Sequence, residues 1–98
     1  MTVLLAPDDF RPHVKKVFRV KGGRHAFVLT KIDSPDLGPP PPGARRLPFN
    51  LIFSGPPDDV LREGMYTLEV DEGLSFELYV IPIHTPARDR QDYQAPFN

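Results

Sequence analysis

The chain predicts an all-β domain: a small antiparallel barrel or sandwich of five to six strands with a proline-rich crossover loop. Three observations carry this. Between Leu47 and Ile83, Phe49, Leu51 and Phe53 alternate with Asn50, Ile52 and Ser54; Tyr66, Leu68 and Val70 with Met65, Thr67 and Glu69; and Phe76, Leu78 and Val80 with Glu77 and Tyr79. A repeat of two puts each apolar set on one face of a strand. Glycine- and proline-rich breaks separate the runs, and no segment has a helical apolar period long enough for a recognition helix. Short strands with turn signals between them build barrels and sandwiches.

In chain order, Met1–Pro12 is an entry segment whose large anchor is Phe10. Val14–Lys21 reads as a first strand, with Phe18 and Val20 beside Lys16 on one face and Lys15, Arg19 and Lys21 beside Val17 on the other. So many cations suit an edge strand, where charge discourages foreign pairing. Gly22-Gly23 signals a two-residue hairpin turn. Ala26–Asp33 returns as a second strand, but both of its faces are partly apolar, so the inward one stays open. Ser34–Pro48 is a break: Pro35, Pro39–Pro42 and Pro48 cannot donate ladder hydrogen bonds, and the proline run forms a stiff spacer. Its PxxP spacing relative to Arg45 is a weak match to a proline-ligand motif, and a simple crossover accounts for it.

Phe49–Ser54 is the third strand. Asp58–Glu63 fits one helical turn with Asp58 as N-cap and Val60 and Leu61 tucked under the sheet, ended by Gly64. Met65–Val70 and Ser75–Ile83 form the clearest hairpin, with Gly73 in the left-handed position of a three-residue loop. Pro82 places the end of that strand near an edge. Thr85–Gln91 is a polar loop, and Tyr93–Phe97 adds a last strand or a docked tail, with Phe97 buried in its own fold.

Length and composition narrow the function classes. Ninety-eight residues make a single domain spanning residues 1–98. The absence of cysteine removes disulfides, thiolate catalysis and sulfur-built zinc sites. Met1–Ala6 is apolar but short, lacks a basic start and is followed by Asp8 and Asp9, so neither a signal peptide nor a membrane span is expected. Synthesis in the cytoplasm follows, with the final location left open.

Charge is balanced at a net −1 but unevenly placed. Arg11–Lys31 holds seven basic residues and no acidic one, whereas Pro56–Ile83 holds seven acidic residues and a single Arg62. The charges either pair across neighbouring strands or form opposite patches for contacts with a protein partner or between copies. Nucleic acid is disfavoured, because no aromatic platform accompanies the basic segment. Tyr79 and Ile81 lie opposite the Phe76, Leu78 and Val80 face; if that face is exposed, they form an apolar patch. The candidate interaction surface is therefore Lys15, Arg19, Lys21, Glu69, Glu77, Tyr79 and Ile81.

Catalytic and metal chemistry find no foothold. His13, His25 and His84 lack ligand spacing, and Asp8, Asp9 and His13 read as solvated polar residues. Asp58-Asp59 lacks the ligand pattern of a calcium loop. Ser34, Ser54 and Ser75 lack a nucleophile elbow, and Gly22-Gly23 precedes a strand rather than a phosphate-binding helix. No catalytic residue, metal or cofactor is assigned. The alternative expectation is a small-ligand site in a barrel mouth, rimmed by tyrosines and histidines.

Four segments run in a recognisable order: Leu47-Pro-Phe-Asn-Leu-Ile-Phe-Ser-Gly-Pro56, Gly64-Met-Tyr-Thr-Leu68, Phe76-Glu-Leu-Tyr-Val-Ile-Pro82 and Tyr93-Gln-Ala-Pro-Phe-Asn98. They resemble a family of bacterial proteins of roughly this length, catalogued as a domain of unknown function. Its pattern is P-F-x-L-x-F-x-G-P … G-x-Y-x-L … L-F-x-V-P … Y-x-A-x-F-N. The four-proline insert and Pro96 depart from it. The resemblance implies a compact β domain of bacterial or phage origin, with relatives often near genes for tail-collar-type fibre proteins. It thereby implies a structural or assembly role, and together with the charged strands the expectation is a non-enzymatic structural or protein–protein interaction module in a phage-tail-like or surface fibre assembly. It transfers no catalytic residue, and function rests on the site rather than the fold.

Overall fold

The computed structural model describes residues 7–33, 49–70 and 73–97. Six antiparallel strands close into a barrel: β1 (Val17–Val20), β2 (Ala26–Asp33), β3 (Phe49–Gly55), β4 (Gly64–Glu69), β5 (Ser75–Pro82) and β6 (Gln91–Phe97). Around the barrel the order is β1-β2-β3-β6-β5-β4, with β4 returning to β1. A one-turn helix, α1 (Pro7–Phe10), and a 3-10 turn at Arg11–His13 precede β1.

The alternation read from the sequence becomes inside and outside. Phe18, Phe27, Leu29, Phe49, Leu51, Phe53, Leu68, Leu78, Val80, Tyr93 and Ala95 all point inward and are buried. Aromatic rings interlock along the axis, with Phe18 edge-on to Phe53 at 5.2 Å and Phe27 against Tyr93 at 4.5 Å between ring centres. Ring pairs at these separations add to area burial.

The ambiguity of the second strand resolves into a bulge. Leu29 lies opposite Phe53 and Lys31 opposite Ile52, so Thr30 is the extra residue. Its hydroxyl donates to the Ile52 carbonyl at 3.0 Å. One inserted residue exchanges the two faces. The inward set therefore passes from Phe27 and Leu29 to Ile32, which packs against the core.

Closure corrects two expectations. β1 is not an edge strand: Arg19 lies opposite Glu69 and Val20 opposite Leu68, while β2 flanks its other side. Nor does Pro82 mark an edge, since it lies opposite Tyr93. Tyr93 belongs to β6, which runs between β3 and β5 rather than docking as a tail. Joining first to last strands is the one arrangement that removes edges. β1 also starts three residues later than Val14, because Lys15 turns the chain at φ 76° and gives its N–H to the Leu29 carbonyl at 2.7 Å.

Local turns follow the same logic. Gly22 takes φ 80°, which glycine adopts without strain. The hairpin loop nevertheless runs over Lys21–Arg24, longer than a two-residue turn, since Val20 N–H meets the His25 carbonyl. Gly73 takes φ 80° as expected, and Val70 N–H pairs with the Leu74 carbonyl to close that loop. Asp58–Glu63 is not helical: Val60 is exposed while Leu61 is buried. The Leu61 N–H is engaged instead by the Tyr93 hydroxyl. The proline-rich Ser34–Pro48 crossover lies outside the described residues.

Helix α1 lays Phe10 over one end of the barrel. Its ring is fully buried at 4.7 Å from Phe76, 5.6 Å from Phe97 and 6.2 Å from Phe49. Phe97 in turn stacks on Phe49 at 4.4 Å, so it packs within its own fold. Deleting a buried ring of this kind leaves a cavity. Phe10→Ala is expected to cost about 3 kcal/mol in denaturant unfolding, within the range for such truncations. At Gly55, an added Cβ would stand 2.8 Å from the buried ring of Phe27, which Phe53 and Tyr93 hold in place. Gly55→Ala is expected to destabilise by about 1–3 kcal/mol in the same assay, with no gain in helix or loss of strand by circular dichroism.

Candidate interaction face

Outward positions of β1, β4 and β5 form one continuous face. Arg19 and Glu69 are direct cross-strand neighbours, and Ser75 lies beyond Glu69. The Lys21 N–H donates to the Thr67 carbonyl at 2.9 Å, and Thr67 lies opposite Glu77. Lys21, Thr67 and Glu77 thus form a second row across three neighbouring segments. A third position pairs Met65 with Tyr79. The hairpin ladder that starts at the Gly73 loop sets the β4–β5 part of these rows, because an antiparallel register follows from its turn, and the β1–β4 pairing adds Arg19 and Lys21.

Met65 is 58% exposed and Tyr79 40%, so the face has an apolar row beside its charged ones. The Tyr79 hydroxyl donates to the Glu63 carboxylate. That bond raises the phenol above its ordinary pKa, with lesser contributions from desolvation and the negative charge of Glu63. The aromatic ring is thereby held in one orientation on the surface. No ion pair joins Arg19, Lys21, Glu69 or Glu77 to another of the described residues. Opposite charges share the face without being matched side chain to side chain.

The face contains Arg19, Lys21, Glu69, Glu77 and Tyr79 from the sequence-derived surface. It does not contain Lys15, which sits in the turn before β1 and is tied to β2. Ile81 is half-buried and lies opposite Gln94 on β6, at the margin of the face. Met65 is the member that sequence reasoning missed. Its signal was present: counting the ladder back from Gly73 places Met65 against Tyr79.

A second cluster closes the barrel end formed by the β1–β2 loop and the β3–β4 connection. Arg24 grips Asp59 with two bonds, Nε to Oδ2 at 2.8 Å and Nη2 to Oδ1 at 3.0 Å. His25 Nε2 stands 3.2 Å from the same Oδ1. The Arg24 hydrogen bond holds the Asp59 carboxyl below its ordinary pKa against desolvation, and the Arg24 charge and the nearby His25 ring act in the same direction. Below this cluster the buried Tyr93 hydroxyl accepts from Leu61 N–H at 2.9 Å. Burial is the main cause that raises the Tyr93 phenol; the Leu61 bond partly offsets it and the Asp59 charge adds to it.

This cluster lay beyond sequence reasoning, since nothing in the spacing of Arg24 and Asp59 signals a contact. Its chemistry is that of a clasp: one carboxylate joins two loops, and one phenol pins the connection to β6. Among the described residues no group of histidines and carboxylates is arranged to hold a metal ion. Nor is any helix there long and apolar enough to cross a membrane.

Fold and surface together define a small closed β-barrel with a core of aromatic and aliphatic side chains and an outer face on β1, β4 and β5 that is charged and partly apolar. The family described as a domain of unknown function, DUF6916, matches residues 5–97, and the chain belongs to it. No curated protein and no solved structure matches the chain significantly.

Two measurements check the clasp. Tyr93→Phe leaves the buried Leu61 N–H without its acceptor and is expected to cost about 1–3 kcal/mol. A phenol with a raised native pKa contributes stability that is complete below the unfolded value near 10 and is lost as pH rises through the native one. Wild-type stability should therefore fall through alkaline pH more steeply than that of Tyr93→Phe. Asp59 has the opposite sign: its native pKa is depressed, so its contribution is present above the unfolded carboxylate value and is lost as pH falls through the native one. Stability followed from neutral to acid pH should show this loss in the wild type and not in Asp59→Asn.

Proposed function

We propose that this domain is a non-enzymatic interaction module that binds another protein across the outer face of β1, β4 and β5. The observation that carries the proposal is the exposed Met65–Tyr79 pair, next to a row that holds Lys21 and Glu77, neither of which forms an ion pair with another of the described residues. An aromatic and a methionine supply contact area with adaptable packing, while surrounding charges orient the encounter. The Tyr79 bond to Glu63 lowers the ordering cost of that ring on binding. In its finer form, the proposal places the module in a fibre-like or phage-tail-like structural assembly, the setting implied by the four-segment resemblance. The small-ligand reading draws less support, since aromatic rings fill the described barrel interior.

A photoreactive phenylalanine analogue at Tyr79, expressed in the source cells, tests this. A covalent adduct with a protein is expected from Tyr79, lost when Met65→Asp is added, and absent when the same probe replaces exposed Lys31 on β2. Adducts of equal yield from Lys31, or none from Tyr79, would remove the proposal.

A further inference from the structure

Resting on that interaction reading, we infer that the partner the face fits is a second copy of this chain, packed about a two-fold axis that runs along β4. The face carries its unmatched cations along one margin, Arg19 and Lys21 at β1, and Glu77 along the other, on β5. β4 lies between them with Met65 exposed. A two-fold axis parallel to a strand preserves height along it and exchanges left for right. Rotation about β4 therefore brings β1 of one copy toward β5 of the other.

The register makes the outcome specific. Lys21 and Glu77 share one row, on opposite sides of Thr67. The rotation sets each Lys21 toward the Glu77 of the other copy, twice per dimer, and both are long side chains able to span a curved flank. Met65 lies on the axis and meets its own counterpart, with Tyr79 at its side. Glu69 also lies near the axis, but its cross-strand neighbour Arg19 comes with it, so two carboxylates meet in the company of two guanidinium groups. An interface that repeats one patch on both partners must be complementary to itself under this rotation. This patch meets that condition: the Met65 row faces itself across the axis and each Lys21 faces a Glu77.

Sedimentation equilibrium of the intact protein at low and high ionic strength tests the inference. The wild type is expected to dimerise at low salt and to dissociate as salt rises. Lys21→Glu and Glu77→Lys, both at exposed positions, should each weaken dimerisation by about tenfold or more, because each variant sets like charges together at two places. Mixing the two variants should restore a dimer, since every Lys21–Glu77 contact in the mixed pair again joins opposite charges. Circular dichroism of each variant confirms that the fold is kept.

A dimer indifferent to either substitution, or one that mixing does not restore, would overturn the inference. So would a wild type that stays monomeric at low salt. If Tyr79 still forms adducts with a different protein in cells, only the identity of the partner has failed. If it forms none, the interaction reading fails as well.

Discussion

The structure depends on filling a narrow tube. Six strands closed on themselves enclose less room than the larger barrels that hold ligands or channels, and their inward side chains must occupy all of it. Phe18, Phe27, Phe53 and Tyr93 do so as a connected series of ring contacts. Each ring comes from a different strand, so the contacts tie β1, β2, β3 and β6 together. Gly55 shows how little room is left, since the ring of Phe27 occupies the space its side chain would need.

Closure is uneven around the circumference. β3 pairs with β6 along its whole length, and β4 with β5 likewise, whereas β1 meets β4 and β5 meets β6 through short registers. The two short seams join two longer ribbons. Where the strands part, other groups cover the core. Phe10 from α1 covers the end at Phe76, Phe97 and Phe49, and His13 sets its ring edge-on to Phe18 and Phe76 beside it. At the Leu61 end, the Arg24–Asp59 clasp and the Tyr93 hydroxyl fasten the loops. An exposed ion pair of this kind contributes little by itself. Its value lies in fixing two loops over a hydrogen bond that is buried.

A filled interior directs attention outward. The proposed recognition uses the side chains that lie between the inward ones. Those on β1, β4 and β5 combine an exposed methionine–tyrosine pair with Arg19, Glu69 and Glu77, none of which forms an ion pair with another of the described residues. Charge on a strand has a second consequence here. Arg19, which would guard an edge in an open sheet, guards none in a closed one and lies on the outer face opposite Glu69.

The inside-outside pattern was legible in the sequence, because the repeat of two in Phe49–Phe53, Tyr66–Val70 and Phe76–Val80 depends only on local backbone geometry. So was the Gly73 turn, since few residues other than glycine accept its φ. Part of the candidate face was legible for the same reason, and Met65 could have been found from the ladder. Lys15 could not be separated from Arg19 and Lys21, because a positive φ at a lysine has no local signature. Nor could Asp58–Glu63 be told from a helical turn, since the group that claims the Leu61 amide lies far along the chain in β6. By itself the sequence determined which residues prefer the dry side of a strand, a property of each side chain and its neighbours. Only the tertiary structure decided that the first strand meets the fourth, that Thr30 is bulged and that Asp59 reaches Arg24. Those are contacts between distant segments, set by how the whole wall closes around its rings.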